Sequence, residues 1–496
     1  MKSLKNYSVQ ELNRLSKIKE IYCYGCGKVF HDLLEMYENE PFVERITKIV
    51  DGNHKLWGSV IKIRNREIEI VAPSILQHVE KKAIVLITTK NPDEIYDNIC
   101  RIDVSEKLVC SKYPYIYYEF AKILLKVFSY FPNRYCLLFS YGNDTHENAI
   151  AVIEYLNENE LLQKYKIVLL TDSNHMHQMF ADKHICIEKD VISGRKNIKK
   201  ILRYCYYYGR AKYLFYENQK IGKVGKSQKL IFLNHGTVPL KKVKDVMKQP
   251  RELDYAVCPS ENCAKIYQEQ YGIPVEKQIY FMHPRVSLLL KGNPKVKDYL
   301  KFDGQIILWL PTFRIHKDGN RVDANRADVP FGIFKKGMQA VNQFLKEHNQ
   351  LLIIKKHPCE KNDIIVENKY ENIRIITDEE LRKESIVLQE LLHVTDALIT
   401  DYSGVTFEYL FLNKPIGYVI KDIEQYHRGF AFDNPLDYMP GKKINTEDEL
   451  ICFFEEIYHR EDVYHVQRED LRRRLFGEIN PYTGVEELIK FIKQEN

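Results

Sequence analysis

The feature of this chain that most constrains its fold is a repeated alternation of short apolar strands, turns and helical segments. The strand segments include IKEIYCYG and KLIFLNHG, and each is followed by a glycine-rich or polar turn. This alternation is typical of α/β proteins, because a parallel strand needs a crossover segment before its neighbour. We therefore predict an α/β fold built from Rossmann-like units.

The length of the chain sets the number of such units. At roughly 100–200 residues per domain, 496 residues suggest about three domains. The pattern predicts an N-terminal Rossmann-like domain over 1–110, an aromatic helical connector over 111–133, and two α/β lobes over 134–290 and 291–496. The Tyr and Phe residues of the connector suit packing against a core or another domain, and a membrane interface is the alternative.

Composition excludes several classes of protein. A hydrophobic fraction of 45% and a charged fraction of 29% exclude a mostly disordered chain. The net charge of +6 is too small to indicate nucleic-acid binding, although it suits an anionic substrate or membrane surface. No apolar stretch approaches the roughly 18 residues of a spanning helix. The polar start and the eleven scattered cysteines favour a cytosolic protein, and the single CxxC pair of Cys23 and Cys26 does not indicate a metal site.

A glycine turn in the N-terminal domain has two interpretations. Gly25 and Gly27 follow a strand and precede a helix, and Asp51 ends the next strand. Such a turn can hold a phosphate while the acid binds a ribose hydroxyl. Phe30 stands where the dinucleotide motif has its third glycine. The alternative is a tight turn in a Rossmann-like domain that binds no ligand.

Four later strands end in turns rich in His, Lys, Arg and hydroxyl residues, at 234–242, 311–314, 355–358 and 400–404. Ligands of open α/β sheets bind at the carboxyl ends of strands. Taken singly, His235 and His357 could be ordinary turn residues, and Asp401 could cap a helix. Together the four turns indicate a site for a phosphorylated ligand, with histidines that can move a proton near neutral pH.

Motifs in these turns also carry a family resemblance. In order they read NHGTVPLKK, PRVSLLL, LWLPTFR, IIKKHP, ITDYSGVTFEYLFLNKPIGYV and RGFAFD…PGK, with a weaker early match at Ser140 and 148–150. Over about 134–490 this set resembles the CDP-glycerol glycerophosphotransferase family of teichoic-acid primases and polymerases and related capsule polymerases. The resemblance implies a GT-B architecture, in which two Rossmann-like lobes, here preceded by the extra N-terminal domain, face each other across the active site.

The implied reaction transfers a polyol phosphate, with glycerol phosphate preferred, from a CDP-polyol to a hydroxyl of a polymer or lipid-linked primer. CMP is released, and no metal or other cofactor is implied as obligatory. The expected location is cytoplasmic, with peripheral association at the inner face of the membrane left open. Glycerol against ribitol, primase against polymerase, and the oligomeric state also stay open. The alternatives are a GT-B glycosyltransferase that uses a nucleotide sugar and a non-catalytic nucleotide-binding scaffold.

Roles follow for the residues of the turns. His235 is predicted to be the base that activates the acceptor hydroxyl, because that hydroxyl is scarcely ionised at pH 7. His357, with Lys356 beside it, is predicted to neutralise or protonate the leaving group, and the reverse assignment of the histidines stays open. Arg314 offers a planar fork for phosphate oxygens and Thr312 a single hydrogen bond.

The remaining predicted substrate contacts come with departures from the family pattern. They are Gly236, Thr237, Pro239, Arg285, Asp401, Ser403, Gly404 and Glu408. The family commonly has Ser where this chain has Gly404 and Asp where it has Glu408, and its Gly-x-Pro-Arg turn appears here as Met282-His283-Pro284-Arg285, with Met in place of Gly. These departures leave the identity of the polyol open.

Overall fold

The structure is a computed structural model of the chain. It describes residues 4–495 except 90–91, 102–103, 105, 113–117, 141–146, 172–184, 188–197, 219, 245, 248, 315–322, 324–337 and 358–369. Two compact units are present, an N-terminal unit of Met1–Val127 with Lys189–Tyr206 and a main unit of Phe128–Glu188 with Tyr207–Asn496. Both are α/β, as the sequence predicts.

Within the described residues, the N-terminal unit contains a seven-stranded sheet in the order β1-β7-β6-β2-β3-β5-β4, parallel except for the β4–β5 pair. Its strands are β1 (Lys5–Asn6), β2 (Glu20–Tyr24), β3 (Ile46–Val50), β4 (Val60–Ile63), β5 (Arg66–Val71), β6 (Ala83–Ile87) and β7 (Leu108–Lys112). The helices are α1 (Val9–Leu15), α2 (Lys28–Met36), α3 (Pro41–Glu44), α4 (Pro92–Arg101) and α5 (Tyr118–Ser129), the last of which continues into the main unit. Strands β2 and β6 bury apolar side chains on both faces, as a covered parallel sheet requires.

The first lobe of the main unit is a parallel sheet in the order β10-β9-β8-β11-β12-β13-β14. Its strands are β8 (Asn133–Ser140), β9 (Lys166–Leu170), β10 (Ile185–Ile187), β11 (Ala211–Tyr216), β12 (Lys229–Phe232), β13 (Tyr255–Cys258) and β14 (Gln278–Tyr280). The helices that accompany them are α6 (Glu147–Glu158), α7 (Ile198–Arg210, which begins in the N-terminal unit), α8 (Ala264–Tyr271), α9 (Arg285–Lys291) and α10 (Lys295–Leu300).

The second lobe is a parallel sheet in the order β17-β16-β15-β18-β19-β20. Its strands are β15 (Gln305–Leu310), β16 (Gln350–Lys355), β17 (Ile373–Ile376), β18 (Ala397–Thr400), β19 (Ile416–Val419) and β20 (Lys442–Ile444). The helices that follow in the chain are α11 (Met338–Glu347), α12 (Asp378–Lys383), α13 (Leu388–Val394), α14 (Val405–Tyr409), α15 (Glu447–His459), α16 (His465–Phe476) and α17 (Gly484–Gln494).

The last helix of the chain returns to the first lobe. Leu488, Ile489 and Ile492 of α17 belong to the core formed with β8, β11 and β12. The hydroxyl of Tyr213 on β11 donates to the carbonyl of Ile492 at 3.0 Å. Burial of each of these aliphatic side chains contributes about 1.5–3 kcal/mol, so α17 fastens the chain end to the first lobe. The predicted boundaries of the connector and of the 291–496 lobe stay predictions.

The strand order places three of the four turns rich in His, Lys, Arg and hydroxyl residues, those after β12, β15 and β18, near the centre of their sheets. In the first lobe the strand order runs outward in opposite directions from the β8–β11 pair, and in the second lobe it does so from the β15–β18 pair. Such switch points open a crevice at the carboxyl ends of the strands. Residues 311–314 follow β15 and 401–404 follow β18, and the 234–242 turn follows β12 beside β11.

Candidate active site

The His235 turn is built around a strained asparagine. Asn234 is buried and has a φ of 60°, a left-handed conformation that asparagine tolerates better than most residues. Its carbonyl accepts from Asn148 Nδ2 at 3.0 Å, and its own Nδ2 donates to the Tyr271 hydroxyl at 2.9 Å. Its Oδ1 accepts from the main-chain N–H of His235 at 2.9 Å. The asparagine is therefore held inside while the His235 side chain remains exposed to solvent.

A second histidine supports the same turn from inside the lobe. The Tyr267 hydroxyl donates to the carbonyl of Thr237 at 2.7 Å and lies 3.2 Å from Nε2 of the buried His283. Burial, with a smaller contribution from the charge of Arg285, lowers the pKa of His283 to about 3. His283 is thus a neutral internal residue beneath the turn.

Protein atoms and positive charges surround His235 even though solvent reaches it. Desolvation by the surrounding protein, followed by the charges of Arg285, Lys241 and Arg428, lowers the pKa of His235 to about 4. The main-chain carbonyl of Glu217 interacts with the ring and opposes this shift. The imidazole is consequently neutral at pH 7, which is the form that can accept a proton.

Arg285 and Glu408, both predicted to contact substrate, bind each other across the two lobes. Arg285 Nε lies 3.4 Å from Glu408 Oε2, and both side chains are buried. The main-chain N–H of Thr237 donates to the Glu408 carboxylate, and the side-chain oxygen of Gln389 accepts from Arg285 Nε at 2.8 Å. Burial raises the pKa of Glu408 and the charge of Arg285 opposes that shift. In this structure the pair therefore joins the lobes beneath the His235 turn.

Two more buried acids lie close to this pair, and sequence reasoning missed both. Glu217 directly follows β11, and Glu147 begins α6 after the β8 end. Burial raises the pKa of Glu217 well above its ordinary value, and the charge of Glu147 adds to the rise. An acid immediately after an apolar strand was the signal that could have found Glu217. The acids and Arg285 form a buried, mostly acidic layer under an exposed histidine.

Arg314 lies in an internal network, contrary to the prediction that it offers a fork to phosphate. Its Nε and Nη2 donate to the Asp422 carboxylate at 2.7 and 3.1 Å, and its Nη1 donates to Asp401 at 2.8 Å. Asp401 also accepts from the N–H and hydroxyl of Thr312 at 3.1 and 2.9 Å. All four side chains are buried. They fasten the ends of β15 and β18 together and so shape the base of the second lobe's crevice.

The turn that follows β16 lies next to the turn at 311–314. Lys355 ends β16 and pairs with Asp378 at 2.7 Å. Lys356 and His357 are half-buried, and the His357 ring lies 4.8 Å from the Phe313 ring, centroid to centroid. His357 is thereby placed next to the 311–314 turn. Pro358, the last residue of the predicted turn, lies outside the described residues.

The fourth turn meets the His235 turn directly. A Cβ on Gly404 would lie 2.6 Å from the carbonyl oxygen of Val238, closer than real contacts allow, whereas a Cβ on Gly236 would meet nothing within 4 Å. Ser403 Oγ accepts from the N–H of Val405 at the start of α14, at 3.4 Å. The departure at Gly404 therefore has a steric reason, since this position lies against the facing lobe.

A short antiparallel contact brings further cations to His235. Lys241 and Phe430 form an isolated β-bridge, and the N–H of Lys242 donates to the carbonyl of Gly429 at 3.0 Å. Arg428 Nε donates to the Lys242 carbonyl at 2.8 Å. Arg428 was not predicted as a site residue, although it opens the RGFAFD motif. The bridge explains how residues nearly 200 positions apart act on one imidazole.

The part of the chain that contains this site matches a known protein family. Residues 121–480 match the family described as CDP-Glycerol:Poly(glycerophosphate) glycerophosphotransferase. The chain belongs to this family. The matched region contains every turn described above, and most of the N-terminal unit precedes it.

Relatives from this glycerophosphotransferase family are similar over part of their length. The chain is 29% identical to the teichoic acid poly(ribitol-phosphate) polymerase of Bacillus spizizenii over 55% of this chain and 46% of that protein. It is 30% identical to the teichoic acid glycerol-phosphate primase of Bacillus subtilis, over 42% and 51%. It is 25% identical to the teichoic acid poly(glycerol phosphate) polymerase of B. spizizenii, over 69% of this chain and 89% of that protein. The chain thus spans about half the length of the first two relatives.

A solved structure shows the same fold. The wall teichoic acid polymerase TagF matches 76% of this chain and 93% of its own, with a TM-score of 0.55 and 16% identity. A TagF variant soaked with CDPG gives a TM-score of 0.56 and 17% identity, with the same coverage. The likeness confirms the predicted GT-B arrangement of two Rossmann-like lobes.

The glycine turn of the N-terminal unit lies outside the matched region. Gly25 has a φ of 99°, and the N–H and Sγ of Cys26 donate to Asp51 Oδ2 at 3.0 and 3.1 Å. Asp51 Oδ1 accepts from the N–H of Asn53 at 2.8 Å. Gly25, Gly27 and Asp51 therefore form a turn bonded to its own acid, and the prediction that it binds a nucleotide stays untested.

In the part of the chain that the structure describes, no group of three His, Cys, Asp or Glu side chains is arranged to hold a metal ion. No helix there combines the length and apolar character needed to cross a membrane.

Proposed function

We propose that this protein transfers a polyol phosphate, with glycerol phosphate as the first candidate, from a CDP-polyol to a hydroxyl of a growing cell-surface polymer or primer. The observation that carries the proposal is the position of His235: its side chain is exposed on a turn that meets Gly404 of the second lobe, and the Lys241–Phe430 bridge brings cations to this turn. A neutral base beside concentrated positive charge is what attack on a phosphate anhydride requires. Family membership and the names of the relatives support the same reaction.

In the proposed step, the acceptor oxygen attacks the β-phosphorus that carries the polyol, and its proton passes to His235. A new phosphorus–oxygen bond forms, the bond to the bridging oxygen breaks, and that oxygen leaves with CMP. General-base assistance of this kind typically contributes about 10²–10⁴-fold to the rate.

Positive charge on the two lobes would hold the phosphates. We assign Lys241 and Arg428 to the transferred phosphoryl group because both act electrostatically on His235. His357 and Lys356 are assigned to the CMP leaving group, and exchange of the two histidine roles is the alternative. Gly236, Thr237, Pro239 and Ser403 remain proposed contacts through the turns they form. Arg285, Glu408, Arg314, Asp401 and Thr312 are proposed to shape the site through their mutual bonds.

The acceptor and location belong to the same proposal. The first lobe is proposed to bind the acceptor and the second lobe the CDP-polyol, with no metal required. A lipid-linked acceptor would bring the protein to the inner face of the cell membrane from the cytoplasm. The named relatives include both glycerol-phosphate and ribitol-phosphate enzymes, so the choice of polyol must come from measurement.

The test supplies CDP-glycerol, CDP-ribitol and a nucleotide sugar in parallel, each with and without a phosphopolyol primer. We expect primer-dependent CMP release with one of the CDP-polyols and a product that gains phosphorus. A product that gains a sugar and no phosphorus would instead establish the glycosyltransferase. A folded protein that binds none of these nucleotides would overturn the proposal.

A further inference from the structure

A cavity of about 740 Å³ lies in the first lobe next to the His235 turn. Its lining comes from α8 and the loop after it, and from six residues of the segment that follows the His235 turn: Lys244, Met247, Gln249, Pro250, Arg251 and Leu253. None of these residues has a role in the site described above except Tyr271. The cavity is therefore a second concave surface beside the proposed base.

The charges that line the cavity are mostly positive. Lys265 pairs with the one acidic lining residue, Glu269, at 3.7 Å, and Lys277 Nζ donates to the carbonyl of Leu253 at 2.6 Å. The other two cations, Lys244 and Arg251, are exposed to solvent. Exposed cations around a recess favour an anionic ligand, and their separation along the lining favours one with several charges.

A chain of hydrogen bonds links the cavity to His235. Tyr271 lines the cavity, and its hydroxyl accepts from Asn234 Nδ2 at 2.9 Å. Asn234 Oδ1 in turn accepts from the N–H of His235. One buried tyrosine and one asparagine therefore separate the cavity from the residue proposed to receive the acceptor proton.

We propose that this cavity binds the phosphodiester backbone of the acceptor polymer, a few units behind the hydroxyl that is extended. The inference rests on the proposed function for the identity of the polymer. A repeating polyol phosphate carries one negative charge per unit and little apolar surface, which suits the exposed cations around the recess. An anionic membrane surface fits less well, because the apolar lining residues Leu253 and Tyr271 are buried instead of protruding.

The experiment measures equilibrium binding of a fluorescent glycerol-phosphate oligomer in the absence of any CDP-polyol. The test variant is Lys244→Glu with Arg251→Glu. The matched control is Lys297→Glu with Lys493→Glu, two exposed lysines outside the cavity lining that give the same change in net charge. We expect the test variant to bind the oligomer about tenfold or more weakly and to have a shallower salt dependence, whereas the control binds like the wild type.

Kinetics add a readout that a merely structural effect would not produce. The KM for the primer should rise in the test variant, more for long primers than for one of a single unit, while the KM for the CDP-polyol stays unchanged. Equal losses in test and control variants, or a loss confined to the CDP-polyol, would overturn the proposal. So would unchanged oligomer binding accompanied by loss of binding to vesicles that contain anionic phospholipid.

The two proposals fail separately. Wild-type protein that binds the oligomer through Lys244 and Arg251 but releases no CMP would contradict the proposed function and leave the anion site standing. If CMP release and oligomer binding were both normal in the two variants, the anion site would be contradicted and the proposed function would stand.

Discussion

Two turns of this chain follow similar strands but differ in their hydrogen bonds and in the charges around them. The Gly25–Gly27 turn follows β2, a buried parallel strand at the switch point between β2 and β6, and the His235 turn follows β12, a buried parallel strand one position from the switch point of its sheet. In the first, Asp51 accepts from Cys26 and Asn53, so an acid of the protein occupies the donors of the turn. In the second, Asn234 satisfies the main chain from inside, and cations collect around an exposed imidazole. The second turn, which we propose to be reactive, differs from the first in that its internal bonds leave one titratable side chain exposed.

The charge around the two turns shows the same contrast. The thiol of Cys26 has its pKa raised to about 12 by desolvation, with a further contribution from the bond to Asp51. Desolvation and positive charges lower the pKa of His235 to about 4. One turn therefore holds a protonated thiol bonded to an acid, and the other holds the neutral imidazole that we propose as the base.

The change expected to have the largest effect is removal of the Arg285–Glu408 ion pair beneath the His235 turn. Arg285→Met leaves Glu408 buried without its cation, which should lower the free energy of unfolding by about 3–5 kcal/mol and abolish CMP release. Urea unfolding measures the first effect. The double variant with Glu408→Gln should regain part of the stability. An unfolding midpoint equal to that of the wild type would show that the pair does not join the lobes.

Steric contact between the lobes gives a smaller effect. Gly404→Ala places a Cβ 2.6 Å from the Val238 carbonyl oxygen. We expect a loss of about 1–3 kcal/mol in the free energy of unfolding, as for other overpacked sites. Gly236→Ala is the matched control, since its Cβ meets nothing within 4 Å and should change stability by less than about 0.5 kcal/mol. Equal stability of the two variants would argue against close apposition of the turns.

The pH dependence of activity sharpens the electrostatic half of the comparison. A base must be neutral, so kcat/KM should fall with decreasing pH only near the lowered His235 pKa of about 4. Removal of one cation by Arg428→Gln favours the imidazolium, raises this pKa and moves the acidic limb to higher pH. Arg428→Lys keeps the charge and should keep the limb in place. A wild-type limb near 6.5 that neither variant moves would contradict the assignment.

The smallest effect is expected at the N-terminal turn. Asp51→Ala removes its hydrogen bonds at a cost of about 1 kcal/mol in stability and should leave CMP release unchanged. The Cys26 thiol should then react faster with an alkylating reagent, because one cause of its raised pKa is gone. A large loss of CMP release with normal stability would mean that this turn binds a ligand needed for activity.

Local patterns predicted much of this molecule. The alternation of strands and turns gave the α/β class, and ordered motifs gave the two facing lobes and the His235 turn. These features depend on short stretches of sequence, such as the strand that ends at Phe232 and the polar residues that follow it.

Partnerships between distant residues could not be predicted in the same way. Nothing near Arg285 or Glu408 in the sequence shows that they pair across the lobes, so their ion pair could not be predicted. Arg314 looked like a phosphate fork because Asp422, which engages it, lies 108 positions further along the chain. Arg428 reaches His235 only through the pairing of Gly429 with Lys242. Long-range charge partners depend on the folded chain.

The most direct test of the account is single-turnover CMP release by His235→Ala, with CDP-polyol and primer both bound. We expect a loss of about 10²–10⁴-fold, with nucleotide affinity and unfolding midpoint like those of the wild type. His357→Ala is measured beside it. A donor with a better leaving group should restore part of the lost rate in His357→Ala, whereas it should not do so in His235→Ala. CMP release by His235→Ala at close to the wild-type rate would contradict the claim that this exposed, neutral imidazole is the base.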